Sequence, residues 1–148
     1  MRINNTVGNV SIKIDTSRID KNIREAQKLL NLAVVGDCDP LIPFQQGALR
    51  NSVTYPDGIY GGSVQWGGEE VGVPYAAYQY RGEVYGPNIP RKDSEGNIIG
   101  WYSPPKKHPM GRPLTYHHPG TGKEWFEEGK RQHGADWLRL VKQTAGKE

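Results

Sequence analysis

Proline placement decides where this chain can be helical. A proline inside a helix removes a backbone donor and collides with the preceding turn, at a cost of about 3 kcal/mol. The first proline is Pro40 and the last is Pro119. Long helices are therefore confined to the two ends. Seven prolines (Pro87, Pro90, Pro104, Pro105, Pro109, Pro113 and Pro119) fall within residues 83–120, which reads as a long irregular excursion. An excursion of that length inside a compact domain points to docking on a partner or to disorder in the isolated chain.

The N-terminal window uses its freedom. Ile19, Ile23, Ala26, Leu29, Leu30, Ala33 and Val34 recur at helical spacing. Asp15-Thr16-Ser17 offers an N-cap, and Ser17 with Asp20 approximates a capping box. The pattern predicts a helix over about 17–35, with Gly36 as its stop. Ahead of it, Val10, Ile12 and Ile14 alternate with polar residues, the period of a half-buried strand over 8–14. At the other end, Trp125, Phe126, Gly129, His133, Trp137, Leu138 and Val141 predict one helix, or two broken near Gly134. Lys142 and Lys147 suit its C-terminal dipole.

Between these helices the signals are short. Gln45 to Ser52 could form a brief helix. Asp57-Gly58 and Gly67-Gly68 are hairpin signals, so two or three antiparallel strands are expected between 53 and 73. Pro74-Tyr75 opens a helical turn that runs toward Gly82. Residues 94–97 look like a loop tip, with Ile98-Ile99 and Trp101-Tyr102 as a return strand. The sum is one α+β domain over 1–148. A long N-terminal helix and a C-terminal helix are expected to pack on a small, mainly antiparallel sheet, with a long Pro-rich loop at 83–120.

Composition narrows the class. Hydrophobic residues make up 35% of the chain, and the mean hydropathy is −0.72. The core should be modest. The formal charge of +3 is spread among mixed acids and bases rather than gathered in a stripe, so charge alone does not name a partner. Cys38 is the single cysteine, which excludes an internal disulfide and fits assembly in a reducing cytoplasm. The first twenty residues carry no apolar signal region, and no apolar run is long enough to span a membrane.

The candidate chemistries are weak. Pro119-Gly120-Thr121-Gly122-Lys123 suggests a phosphate-binding loop, but Glu124 follows the lysine and no apolar strand precedes. His117 and His118 are adjacent and diverge, and neither pairs with Cys38 at metal-ligand spacing. Cys38 stands between Asp37 and Asp39, whose charge disfavours a thiolate. Glu69-Glu70 and Glu127-Glu128 are sequence neighbours that suit a solvated face. No catalytic group, cofactor or metal is expected. The one chemically distinctive stretch carries Arg91, Lys92, Trp101, Tyr102, Lys106, Lys107 and Arg112. Such a mix serves protein interfaces, where arginine and aromatics dominate affinity. It also serves single-stranded nucleic acid, through phosphates and stacking.

Pro43-Phe44-Gln45-Gln46-Gly47-Ala48-Leu49-Arg50-Asn51-Ser52 resembles a segment of phage neck and tail-completion proteins, which reads Pro, two or three residues, Gly, any, Leu-Arg, any, Ser. Tyr75-Ala76-Ala77-Tyr78-Gln79-Tyr80-Arg81-Gly82 resembles a second segment of that family, some twenty-five residues on. The closing stretch from His117 to Trp137, with Trp125 near its helix start, is similar to the end of minor capsid proteins of tailed phages that infect Gram-positive bacteria. The resemblance covers most of 17–141. It implies a non-enzymatic virion protein, assembled in the host bacterial cytoplasm as a ring of six or twelve copies in the head–tail neck. Its partners would be further copies of itself and the neighbouring neck, portal-side and tail proteins. DNA would pass through the ring and could touch it. Pro43, Gly47, Leu49, Arg50, Ser52, Tyr75, Ala76, Tyr78, Gly82, Trp125 and Trp137 would be its structural motif positions, and the basic and aromatic stretch its interface. The alternative is a small basic nucleic-acid-binding module.

Overall fold

The computed structural model describes all 148 residues. Strands β1 (Arg2–Val7) and β2 (Val10–Asp15) form an antiparallel hairpin. Gly8, at φ +61°, heads its two-residue turn, where a left-handed residue matches the twist of the strands. Helix α1 spans Ser17–Cys38 and α3 spans Trp125–Ala145. Between them lie three 3-10 turns, at Asp39–Leu41, Arg50–Ser52 and Glu69–Val71. The short helix α2 (Ala76–Arg81) follows, then strands β3 (Glu83–Gly86), β4 (Ile89–Lys92), β5 (Ile98–Tyr102) and β6 (His108–Pro113).

The class is α+β with small antiparallel sheets. The sheet is not single. Three separate two-stranded ladders form, β1–β2, β3–β6 and β4–β5, and the two long helices pack on each other instead of on a sheet. They run antiparallel. Asn22 Nδ2 of α1 donates to the Lys147 carbonyl just past the end of α3 (2.7 Å). At the opposite end Cys38 meets Gly129, where an added Cβ would lie 2.7 Å from the sulfur. Trp137 Nε1 donates to Asp37 Oδ2 (2.7 Å), so the indole is buried with its polar atom paired.

Cys38 is also why α1 outruns its expected end. Gly36 lies inside the helix and not at its stop. A glycine costs a helix about 1 kcal/mol, and burying the next turn against α3 outweighs that. The chain leaves the helix only where Pro40 tightens it into a 3-10 turn, with Ile42 extended beyond. At the start, Thr16 is the N-cap residue and the Ser17–Asp20 box does not form. Asp15 Oδ1 instead accepts from the Ser17 amide (2.9 Å), and the Asp20 carboxylate takes Thr16 Oγ1 and the N-terminal amine. α3 is unbroken through Gly134, because Trp125, Gly129 and Trp137 all bury toward the core across that point.

The core is small. Val34, Cys38, Ile42, Leu49, Val73, Ala76, Trp125 and Trp137 form one cluster. Its middle members come from residues 39–76, which wrap one end of the helix pair. The strands expected between 53 and 73 reduce to two isolated bridges, Thr54 with Gln65 and Gly68 with Val73. The helix supplies what a ladder would have supplied. Asn31 Nδ2 donates to the carbonyls of Ile59 (2.9 Å) and Gly61 (2.8 Å), and the Arg24 guanidinium lies 4.8 Å over the Tyr60 ring. The short helix expected over 45–52 is likewise only a turn followed by a 3-10 segment.

Two further expectations are corrected. The expected tip at 94–97 and return strand over 98–102 do form a hairpin, but the flanking residues of 83–113 pair as a second ladder, making a double ribbon and not an irregular loop. β3 pairs with β6, and β4 pairs with β5 around the Asp93–Asn97 tip. Pro90, Pro109 and Pro113 are tolerated because every strand here is an edge, with one side free of a ladder. Val10, Ile12 and Ile14 do lie on a strand, but that strand is exposed throughout and not half-buried.

The Cys38–Gly129 contact makes a stability test. Gly129→Ala gains about 1 kcal/mol of helix propensity and loses more to overpacking, so a net loss of about 1–2 kcal/mol is expected in thermal or urea unfolding. Combined with Cys38→Ala, the two costs should fall well short of additive.

Candidate functional site

The two motif segments converge. In 43–52, Leu49 and Pro43 are buried, and Gly47 takes φ +79° to turn the chain. Arg50 Nε donates to the Ile42 carbonyl (3.0 Å), and its guanidinium lies 3.9 Å from the Phe44 ring centroid. Phe44 in turn stacks on His118 (3.9 Å, 11°). The result is a three-layer stack of cation, aromatic and imidazole, tying this segment to the chain before α3. Ser52 Oγ donates to the Leu49 carbonyl and accepts from the buried Gly67 amide (2.8 Å). Gly67 passes so close to Ala76 that a Cβ added at Gly67 would lie 2.2 Å from the Ala76 methyl.

In 74–82, Ala76 is buried and Tyr78 stacks on Tyr85 of β3 (4.2 Å, 18°). Gly82, at φ +74°, ends α2 against the methylenes of Lys123, where any Cβ would collide. Tyr116 donates its hydroxyl to the Gln79 carbonyl (2.7 Å). Pro43, Phe44, Leu49, Tyr75, Gln79 and His118 line one open groove of about 590 Å³. Trp125 and Trp137 stand behind it in the core. Most motif positions are thus bracing, and Tyr75 is the one left substantially exposed at the groove.

The phosphate-loop reading has a structural answer. The Gly122 amide donates to the Leu41 carbonyl (3.1 Å) and the Glu124 amide to the Tyr80 carbonyl (2.9 Å). Two of the donors that would wrap a phosphate thus already hold this segment to the core. No three of the histidines, Cys38 and the carboxylates gather where they could hold a metal ion.

The basic and aromatic residues all fall on the double ribbon, but not as one patch. Cross-strand partners are Ile89 with Tyr102 and Pro90 with Trp101. Alternation then puts Ile89, Arg91 and Tyr102 on one face and Trp101 on the other. Arg91 lies 5.8 Å over the Tyr102 ring. Trp101 and Arg112 line a second hollow of about 400 Å³ with Tyr85, Pro87 and Met110, at the junction of the two ladders. Lys107 is not free. Its Nζ bonds to the Pro87 carbonyl (3.1 Å) and Asn88 Oδ1 (2.8 Å), strapping the linker to the ribbon. Lys106 and Lys92 are exposed. Trp101, 63% exposed, is the largest apolar group offered to solvent.

Electrostatics add little reactivity. Burial, with Asp37 beside it, pushes the Cys38 thiol up to about 11. The Arg131 hydrogen bonds, joined by Gln132, pull the exposed Glu128 carboxyl down to about 2. Amides of Asn97 and Glu95 hold Asp93 below the usual carboxylate range at the ribbon tip. One feature escaped the sequence reading. Asn31 and Asp37, polar residues on the packed side of α1, hold the 55–63 loop and Trp137, and nothing in helical spacing announces such partners.

No family model, no characterised protein and no solved structure matches this chain. No helix is long and apolar enough to cross a membrane.

Two measurements probe this region. Ser52→Ala leaves the Gly67 amide buried without a partner, so a loss of about 1–3 kcal/mol is expected in denaturant unfolding. Cys38 should resist thiol reagents in the folded protein and react on unfolding. Because its folded pKa is raised, its contribution to stability holds below about pH 9 and is lost as pH rises toward 11. Labelling rates followed against pH and denaturant check both statements.

Proposed function

We propose that this chain is a non-enzymatic structural subunit of a tailed-phage virion, one of a closed ring in the head–tail neck through which DNA passes. The observation that carries the reading is the double ribbon 83–113. It projects Ile98, Ile99, Trp101, Tyr102 and Met110 into solvent beside Arg91 and Arg112. So many exposed apolar groups on a two-stranded element suit a surface that is covered on assembly. The two motif segments support it by a different route, since they meet at one groove beside the base of the ribbon. In a ring each subunit offers two different patches, and ribbon and groove are two such patches. The ring order would be six or twelve, and the partners beyond it neighbouring neck, portal-side and tail proteins.

A second reading, a small basic nucleic-acid-binding module, is favoured by the exposed Trp101 and by the Arg91–Tyr102 pair. It calls for tight DNA binding by the isolated chain, with a steep fall as salt rises. The ring reading calls for weak binding or none.

The test of the first reading is an electron micrograph of particles produced without this protein. Filled heads and complete tails that fail to join are the expected result. Joined, infectious particles would exclude it.

A further inference from the structure

The double ribbon is two paired pieces with a gap in the bonding between them. Ladder β3–β6 ends at the pair Gly86 with His108, and ladder β4–β5 begins at Ile89 with Tyr102. Between those pairs one side of the ribbon has two residues, Pro87 and Asn88, and the other has five, Ser103 to Lys107. Segments of unequal length cannot stay in register. Pro87, Pro104 and Pro105 have no amide to give in any case. No backbone hydrogen bond joins 87–88 to 103–107.

Little else holds the outer piece. β4 and β5 pair with each other and make no extended contact with any other helix or strand. The polar tie across the gap is Lys107. Its half-buried side chain reaches from the five-residue linker to the two-residue one, where Nζ donates to the Pro87 carbonyl (3.1 Å) and to Asn88 Oδ1 (2.8 Å). Hydrogen bonds from a charged donor are the strong kind, and both of these end on the same short linker.

We infer that the gap is an elbow and that Lys107 is its latch: the β4–β5 hairpin turns as one body about residues 87–88 and 103–107 when the Lys107 bonds part. Two covalent connections make this a hinge and not a loose tether. Prolines on both linkers fix φ and leave few backbone torsions for the bend. Each ladder stays whole, because none of its own bonds crosses the elbow. The bend has two effects. Arg91, Ile98, Ile99, Trp101 and Tyr102 ride on the outer piece, so they are re-aimed together. The hollow of about 400 Å³ has walls from both pieces, Trp101 from one and Tyr85, Met110 and Arg112 from the other, so its mouth changes with the angle. Latched, the ribbon offers its exposed groups in one direction. Unlatched, it follows the surface it meets. The inference goes beyond the ring reading and does not depend on what the ribbon docks on.

The experiment is a spin-label distance between ribbon tip and body in the full chain, with labels on the cysteines introduced by Glu95→Cys and Lys142→Cys, both at exposed positions. Cys38 is fully buried and stays unlabelled in the folded protein. With Lys107 in place a single narrow distance is expected. Lys107→Met keeps the aliphatic stem and removes the donor, and it should raise the share of other distances about tenfold, the worth of hydrogen bonds from a charged group. Asn88→Ala leaves the Pro87 bond and should fall between the two. Amide exchange within both ladders should be the same in all three proteins, since each ladder turns whole. A distribution unchanged by Lys107→Met overturns the inference, as does a broad one with Lys107 present. Lost protection within β4–β5 in Lys107→Met overturns it as well, because the lysine would then hold the ladder together and not its angle.

Discussion

The close approach of Cys38 and Gly129 is what the rest of the chain is built around. Only a residue without a side chain on α3 lets the end of α1 come that near. Once the two helices touch there, Trp125 and Trp137 close over the contact from either side of Gly129, and Ile42 and Leu49 fill the end. Most of the buried hydrophobic residues gather at this one crossing, while those of the hairpin and the ribbon stay exposed. Everything more distant, from the N-terminal hairpin to the ribbon, is held by hydrogen bonds, ion pairs and aromatic stacks on exposed backbone.

That distribution explains what could be read beforehand. The helices were legible because α1 and α3 each repeat apolar residues over several turns, and repetition survives local noise. Their ends were less so. Gly36 carries a local signal for stopping, while the reason to continue lies across the interface at Gly129. The 53–73 region was misread for a related cause. Its glycines and aromatics suit hairpins, yet its carbonyls go to Asn31, a helix side chain more than twenty residues away. In the 83–113 ribbon the β4–β5 hairpin was legible from its tip and return strand, while the β3–β6 ladder was hidden by prolines, which are incompatible with a central strand but not with an edge.

The candidate site was legible in parts. Arg50 stands out in the sequence only as a motif position, and the structure gives it a task there, binding the Ile42 carbonyl. The meeting of 43–52 with 74–82 could not be read, since it depends on the Gly67–Ala76 contact and on Ser52 reaching the Gly67 amide. The basic and aromatic cluster looked continuous in sequence, whereas strand alternation divides it between two faces. Lys107 leaves the set because it serves as an internal strap.

The prolines of the ribbon carry one more consequence. A two-stranded ribbon has two bare edges, and a bare edge invites further strands to add indefinitely, the first step of fibre growth. Pro90 lies in β4, and Pro109 and Pro113 lie in β6, each withdrawing a donor from the backbone. Lys92 and Arg112 set charges among them. An element displaying this much exposed isoleucine and tryptophan would otherwise be a template for sticking to its own kind. The outer edges of β4 and β6 are therefore poor templates for added strands, while those of β3 and β5 carry no proline and leave the ribbon open there.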